Sequence, residues 1–219
     1  MRLNKFVAQA TGLSRREADE AIEQNRIALN GKPVRLGVQV EDSDDVKLDG
    51  KSLKRQAYQY LLLNKPIGYV SSRKQQDSKP TIYSLIPEEF HHLKPAGRLD
   101  ADSHGLMLLT NDGDYANQLT HPSTQKTKTY IAKLHKPLTI DDKIAIEAGL
   151  QLDDGISSFK IKNLSDGRLR ISMHEGRNRQ IRRTFIALGY EVVDLCRTGF
   201  GNYSIEILGK KVYNTTEKE

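Results

Sequence analysis

Asp100 is the residue best placed to do chemistry in this chain. It lies in the stretch Pro95-Ala-Gly-Arg-Leu-Asp-Ala-Asp-Ser-His-Gly-Leu-Met-Leu-Leu-Thr110, two residues after Arg98 and three after Gly97. A carboxylate beside a guanidinium is held in its charged form at neutral pH. It is then available as a nucleophile or a base. Asp102 follows two residues on, and paired carboxylates could also suit a glycosidase. That chemistry needs one of the pair kept protonated, and Arg98 works against it.

A second dense region, Glu175-Gly-Arg-Asn-Arg-Gln-Ile-Arg-Arg183, carries Arg177, Arg179, Arg182 and Arg183. Such a run is either a solvated helical face or a surface for phosphates. The net charge of +6 favours a polyanionic partner. The six histidines are not spaced with cysteines or acids as metal ligands would be, so no metal site is expected. Neither a Gly-x-x-x-x-Gly-Lys loop nor a Gly-x-Gly-x-x-Gly turn occurs, which fits chemistry without a cofactor.

These groups need a scaffold. With 219 residues, 37% hydrophobic and 28% charged, the chain is long enough for one domain or two. No apolar stretch would span a membrane, and the N-terminus lacks the apolar core of a secretory signal. The single cysteine, Cys196, allows no internal disulfide and suits a reducing compartment, the cytoplasm. Its Val-Val-Asp-Leu-Cys context reads as a buried structural thiol.

Residues 1–50 read as a small unit of their own. Leu3, Phe6, Val7 and Ala10 recur at helical spacing. Ser14 and Glu17 form a capping box for a second helix, with Ala18, Ala21 and Ile22 as its apolar stripe. Arg15 and Arg16 sit in its first turn, where cations oppose the helix dipole. That cost suggests a use beyond local stability. Asn25 ends the helix, and Arg26 to Val34 reads as a hairpin about Asn30-Gly31. Val38–Val40 and Val46–Leu48 follow as short strands.

Residues 51–57 are polar and read as a linker. From 58 to 213 strands and helices mix without regular alternation, which predicts an α+β fold. Strands are expected at Tyr58–Asn64, Leu106–Thr110, Thr129–Leu134, several between Ser157 and Ser172, Glu191–Leu195 and Tyr203–Ile207. Helices are expected at Tyr115–Leu119, at Thr139–Ala148 and over the basic stretch Asn178–Leu188. Lys65-Pro-Ile-Gly68 imposes a turn, Ser71–Lys79 reads as a mobile loop, and 214–219 as a frayed polar tail.

Four motifs, in order, carry a resemblance: Lys65-Pro-Ile-Gly68, Gly97-Arg-Leu-Asp-Ala-Asp-Ser-His-Gly105, Lys128-Thr-Tyr-Ile131 and Glu175-Gly-Arg-Asn-Arg-Gln-Ile-Arg-Arg183. Together they resemble the RNA pseudouridine synthases, most closely the ribosomal RsuA-type branch. The N-terminal patterns Arg-Leu-Asn-Lys-Phe, Ser-Arg-Arg-Glu-Ala and Leu-Asn-Gly-Lys are similar to the S-four-like RNA-binding module. The resemblance covers nearly the whole chain. It implies a mixed, largely antiparallel sheet flanked by helices, and a cofactor-independent isomerase that turns one uridine of ribosomal RNA into pseudouridine.

Carried over residue by residue, the resemblance makes Asp100 the essential carboxylate and leaves Asp102 to support the loop. It gives Arg98 a part in extruding the target base, against a competing role as a salt bridge that fixes the loop. Tyr130 would stack on the flipped uracil. Arg182 would pair with the catalytic aspartate. Arg177, Arg179, Arg183, Lys65 and Lys128 would meet phosphates, and Arg2, Lys5, Arg15, Arg16 and Arg26 would present positive charge to RNA. The expected partner is ribosomal RNA, with small-subunit RNA preferred over large, or a ribosomal assembly intermediate, bound by a monomer. The rivals are a non-enzymatic RNA-binding or assembly factor, and a hydrolase that would release free uracil.

Overall fold

The computed structural model describes residues 1–73 and 77–218. In the N-terminal region helix α1 (Leu3–Thr11) packs on α2 (Arg15–Glu23). Their apolar faces close over Ile27, Val40 and Val46 to form a separate small core. The Ser14–Glu17 capping box is formed in both directions. Strands β1 (Ile27–Leu29) and β2 (Lys32–Pro33) join through Asn30 and Gly31. Both turn residues have positive φ, 51° and 77°, which suits Asn and Gly. Strand β3 (Val46–Leu48) adds to β1.

Two readings of this region change. Val38–Val40 makes only a bridge from Gln39 to Arg2, because its other bonds go to the N-terminal residues: Leu3 N donates to Val38 O and Val40 N to Met1 O. The expected linker begins as strand β4 (Lys51–Ser52), the last strand of the small sheet. Here a Asp49-Gly50 turn returns the polar chain onto β3, so backbone bonds extend the sheet where side-chain composition does not show it.

The remaining elements are, in order, β5 (Tyr60–Lys65), β6 (Lys94–Ala96), β7 (His104–Thr110), α3 (Gly113–Thr120), β8 (Lys128–Leu134), α4 (Ile140–Ala148), β9 (Leu150–Leu152), β10 (Gly155–Ser157), β11 (Lys160–Asn163), β12 (Leu169–Met173), α5 (Gln180–Ala187), β13 (Val192–Phe200), β14 (Tyr203–Ser204) and β15 (Tyr213–Thr216). The large sheet runs β11-β12-β8-β13-β7-β5-β15, with β14 on β13 and β6 on β7. It is mixed and largely antiparallel, the β13–β7 pair being parallel. Leu61, Leu63, Met107 and Leu109 point to one core. Tyr60, Leu62, Leu106 and Leu108 point to another on the opposite face. Burial on both faces explains why β5 and β7 read as unbroken apolar runs.

The tail is a further correction. Tyr213–Thr216 is β15, antiparallel to β5, and Tyr203 Oη donates to Glu217 O. The edge of β5 needs backbone partners rather than apolar side chains, so a polar sequence serves. Strand β6 contains Pro95 and bonds only along one edge, where a proline is tolerated. Tyr203–Ile207 divides into β14 and a 3-10 turn, Ile205–Leu208, capped by Ser204. Thr81–Leu85 supplies a 3-10 turn, Ile82–Leu85. Of the expected mobile loop, residues 74–76 lie outside the described residues.

The two regions touch. Lys94 Nζ donates to Leu13 O at 2.5 Å. Asp114, in the first turn of α3, pairs with Lys5 and lies 3.6 Å from Arg15.

Candidate active site

The loop between β6 and β7, residues 97–103, carries Asp100 and is held along its length. Ser71 Oγ donates to Leu99 O at 2.7 Å and accepts from Leu99 N at 3.1 Å. Gly68 N, in the Lys-Pro-x-Gly turn, donates to Ala101 O at 2.7 Å. Lys65 Nζ donates to Ser103 O at 2.7 Å and to Pro66 O at 3.0 Å. At the loop's end Gly105 takes φ +106°, and a Cβ there would lie 2.3 Å from Arg197 O. Only glycine lets β13 come down against the start of β7 at that point.

Asp100 opens into a cavity of about 490 Å³, which is also lined by Arg98, Lys128, Tyr130, Arg177, Arg179, Arg182 and Arg197. The loop from β6, strands β8 and β13, and the segment entering α5 thus converge on one space. Among the described residues Asp100 forms one ion pair, with Arg179 Nη1 at 3.8 Å, and it acts electrostatically on buried Lys65. Asp102 is differently placed. Arg179 grips it with both nitrogens, at 3.0 and 2.8 Å, and Arg182 Nε lies 3.3 Å from the same carboxylate. Burial raises the Asp102 pKa, but Arg179 and Arg182 outweigh it and leave the carboxyl below its ordinary range. Asp102 therefore cannot serve as the protonated member of a glycosidase pair.

The expected pairing of Arg182 with Asp100 is corrected: Arg182 is joined to Asp102. It also donates to Asp102 O at 2.8 Å and to Val192 O at 2.7 Å, tying the loop to β13. The approach to Asp100 comes instead from Arg179. That residue sits at φ +47° immediately before α5, an uncommon conformation for a non-glycine residue. It explains why the helix starts at Gln180 rather than Asn178, and it accompanies the side chain's double hold on Asp102.

Four of the cations assigned to phosphate are engaged within the protein itself. Lys65 has no exposed surface. Burial lowers its pKa to about 8, with Asp100 and Asp102 pulling the other way. It braces the loop from beneath. Arg183 is bonded to Asp153 and Asp154 in the β9–β10 turn, and Arg177 to Asp154 and to Ile156 O. These two clamp that hairpin to the arginine motif. Lys128 lines the cavity, but its Nζ donates to His174 O at 3.2 Å, and burial lowers its pKa.

Arg98 is exposed at the cavity, and among the described residues it forms no ion pair, so the competing salt-bridge role has no partner there. Tyr130 is 8% exposed on the cavity wall. In the N-terminal region Arg26 makes a two-pronged pair with Asp49. Arg2 and Arg16 are exposed and form no ion pair among the described residues. No cluster of histidine, cysteine and acidic groups that could hold a metal occurs among the described residues. The residue missed from sequence is Arg197, whose single basic position in Leu-Cys-Arg-Thr-Gly carries no local signal.

The chain belongs to the RNA pseudouridylate synthase family, whose model matches residues 59–187, and it carries an S4 domain at residues 1–46. It is 38% identical over 204 residues to the ribosomal large subunit pseudouridine synthase B of Bacillus subtilis, covering 90% of this chain and 84% of that protein. It is 35% identical to the ribosomal small subunit pseudouridine synthase A of Escherichia coli, over 94% of this chain and 91% of that one. A solved pseudouridylate synthase superposes with a TM-score of 0.70 at 34% identity, covering 99% and 96% of the two chains. The chain is a pseudouridine synthase. No helix among the described residues is long and apolar enough to cross a membrane.

Proposed function

We propose that this enzyme isomerises one uridine of ribosomal RNA, in the small subunit, with Asp100 as the nucleophile, without a cofactor, as a cytoplasmic monomer. The N-terminal unit, residues 1–50, holds structured RNA, and the unit spanning 58–213 does the chemistry. The observation that carries this reading is the unequal use of two neighbouring carboxylates. Asp102 is consumed by Arg179 and Arg182, while Asp100 faces the cavity and, among the described residues, forms one looser ion pair at 3.8 Å. A rigid loop with one carboxylate left available suits a nucleophile that must meet a substrate carbon.

The target uridine leaves the RNA stack, at a cost of a few kcal/mol, and exposed Arg98 fills the gap it leaves. Tyr130 stacks on the uracil. Asp100 bonds to C1′ or to C6, the N1–C1′ bond breaks, the ring turns, C5 bonds to C1′, the bond to Asp100 breaks with its electron pair returning to the carboxylate, and the proton on C5 departs to N1 by way of the site or solvent. Uridine and pseudouridine contain the same atoms, so no co-reactant is needed.

The test incubates the protein with unmodified small- and large-subunit ribosomal RNA and maps pseudouridine by carbodiimide-dependent primer-extension stops. One new stop in small-subunit RNA, absent with Asp100→Ala, is the expected result. A stop in large-subunit RNA would overturn the choice of subunit. Release of free uracil would support the hydrolase. RNA binding without turnover would support the assembly factor. Asp100→Ala should hold RNA within about tenfold of the wild type, because a nucleophile need not contribute ground-state affinity.

A further inference from the structure

Arg197 is a buried charge that the chemistry above leaves idle. It is 2% exposed, in the middle of β13. Among the described residues it forms no ion pair with a carboxylate. Its Nε donates to Leu106 O at 2.7 Å, and its guanidinium carbon lies 4.7 Å from the Phe200 ring centroid. Its Nη2 is buried and meets no acceptor in hydrogen-bond geometry. Burial lowers its pKa, and a hydrogen bond with the Tyr130 side chain pulls it part of the way back, while Nη2 stays without a partner. A buried cation with no carboxylate beside it and an orphaned donor is among the costlier things a fold can hold. A guanidinium does not escape that cost by losing its proton.

Its position suggests what the missing partner is. Arg197 lies opposite Tyr130 in the β13–β8 ladder, and both line the cavity that Asp100 enters. Of the other cations there, Arg177, Arg179 and Arg182 pair with carboxylates, Lys128 donates to His174 O, and Arg98 is exposed. Arg197 is the buried guanidinium on this wall that, among the described residues, has no carboxylate partner.

We propose that Arg197 is a further catalytic residue, donating from its guanidinium to an exocyclic oxygen of the extruded uracil and stabilising the negative charge the ring gathers during isomerisation. The proposal rests on the isomerase reading above. When N1–C1′ breaks, the ring keeps the bonding electron pair, which spreads over N1, O2 and O4. If Asp100 instead adds at C6, the electrons of the C5–C6 bond move toward O4. Either way an oxygen of the ring becomes more negative. The charge is discharged when C5 bonds to C1′, and the proton lost from C5 is balanced by the one gained at N1. Arg197 transfers no proton. It is a preset donor in a water-poor wall, so it reorganises little as the charge appears.

Arg197→Met and Arg197→Lys test this with RNA carrying uridine, 2-thiouridine or 4-thiouridine at the target position. Sulfur accepts hydrogen bonds weakly, so the thio substitution removes the proposed contact from the substrate side. Arg197→Met should slow single-turnover conversion by about 10²–10³-fold, the usual loss for one such donor, with RNA Kd within about threefold. Arg197→Lys, which keeps the charge but not the fork, should recover about tenfold of that. One of the two thio substitutions should slow the wild type and add little further slowing in the variants. A folded Arg197→Met protein that turns over within about threefold of wild type would overturn the proposal. So would thio effects equal in wild type and Arg197→Lys, a comparison that decides the matter even if the methionine variant does not fold. Absence of wild-type turnover on the mapped RNA would instead overturn the isomerase reading, and this assignment with it.

Discussion

Arg16 and Arg182 each sit in the first turn of a short helix, α2 and α5, and sequence gives them the same character. Arg16 is exposed and unpaired among the described residues. Arg182 is 9% exposed and bonds Asp102 O and Val192 O while its Nε faces the Asp102 carboxylate. The difference extends to their regions. In the arginine motif, Arg177, Arg179, Arg182 and Arg183 are all bonded to the protein itself. In the N-terminal region the cations stay at the surface, and their carboxylate partners Asp49 and Asp114 are exposed too. A run of arginines therefore leaves cations at the surface in one place and builds a pocket in the other. What decides is the supply of acceptors: the Asp153-Asp154 turn, Asp102 and the loop carbonyls lie around α5, while Arg16 forms no ion pair among the described residues.

The sharpest way to break this contrast is Arg182→Ala. Removing a buried cation that serves several acceptors should cost about 3 kcal/mol, or about 6–12 °C in Tm for a chain of this size. Arg182→Lys should recover little, since one ammonium cannot reach Val192 O and Asp102 together. A melting temperature unchanged by the alanine would remove the constructional role claimed for the motif.

Lys65 gives the next largest effect, read through pH. Its folded pKa, about 8, lies below the value of 10.5 that an unburied lysine has. Between those values the unfolded chain binds more protons than the folded one, so stability rises with pH across that window. Below about pH 8 both states are protonated and the penalty is constant. The rise amounts to at most about 3 kcal/mol. Lys65→Met should flatten it in denaturant titrations between pH 8 and 10. Lys94 and Lys128, whose pKa values are also lowered by burial, would leave a residual slope. Identical slopes in the two proteins would show that Lys65 is not buried as a strained cation beneath the loop.

Much of the frame was legible because it rests on local physics. The Asn30-Gly31 hairpin, the Ser14 capping box and the apolar runs of β5 and β7 are each specified by a few adjacent residues. Strand β15 was not legible, since its backbone completes an edge and its side chains need only be tolerated. Within the site, the positions of Asp100 and Tyr130 on a common cavity follow motifs, but the partners of the arginines do not. Whether Arg182 meets Asp100 or Asp102 depends on the left-handed turn at Arg179, and no residue type marks that turn. Lys65 resembled a phosphate ligand because a lone lysine in sequence shows charge and hides burial. Arg197 gave no signal because a single arginine in a strand shows nothing of its missing partner.

Arg183→Ala sharpens the comparison at a smaller scale. Its pairs with Asp153 and Asp154 are partly exposed, so the melting temperature should fall much less than in Arg182→Ala. RNA affinity should keep its salt dependence. A shallower salt slope would mean that Arg183 leaves its carboxylates to meet phosphate.

Arg16→Ala is the smallest change and the complement of that test. Stability should move by less than about 0.5 kcal/mol, and could rise slightly, since the cation opposes the dipole of α2. RNA affinity should fall at low salt, with the slope of log K against log salt shallower by about 1, as expected for one lost phosphate contact. The two arginine variants then answer one question from opposite sides. If Arg16→Ala leaves the salt slope intact while Arg183→Ala reduces it, RNA lies along the arginine motif, and the exposed face of α2 is a solvated surface.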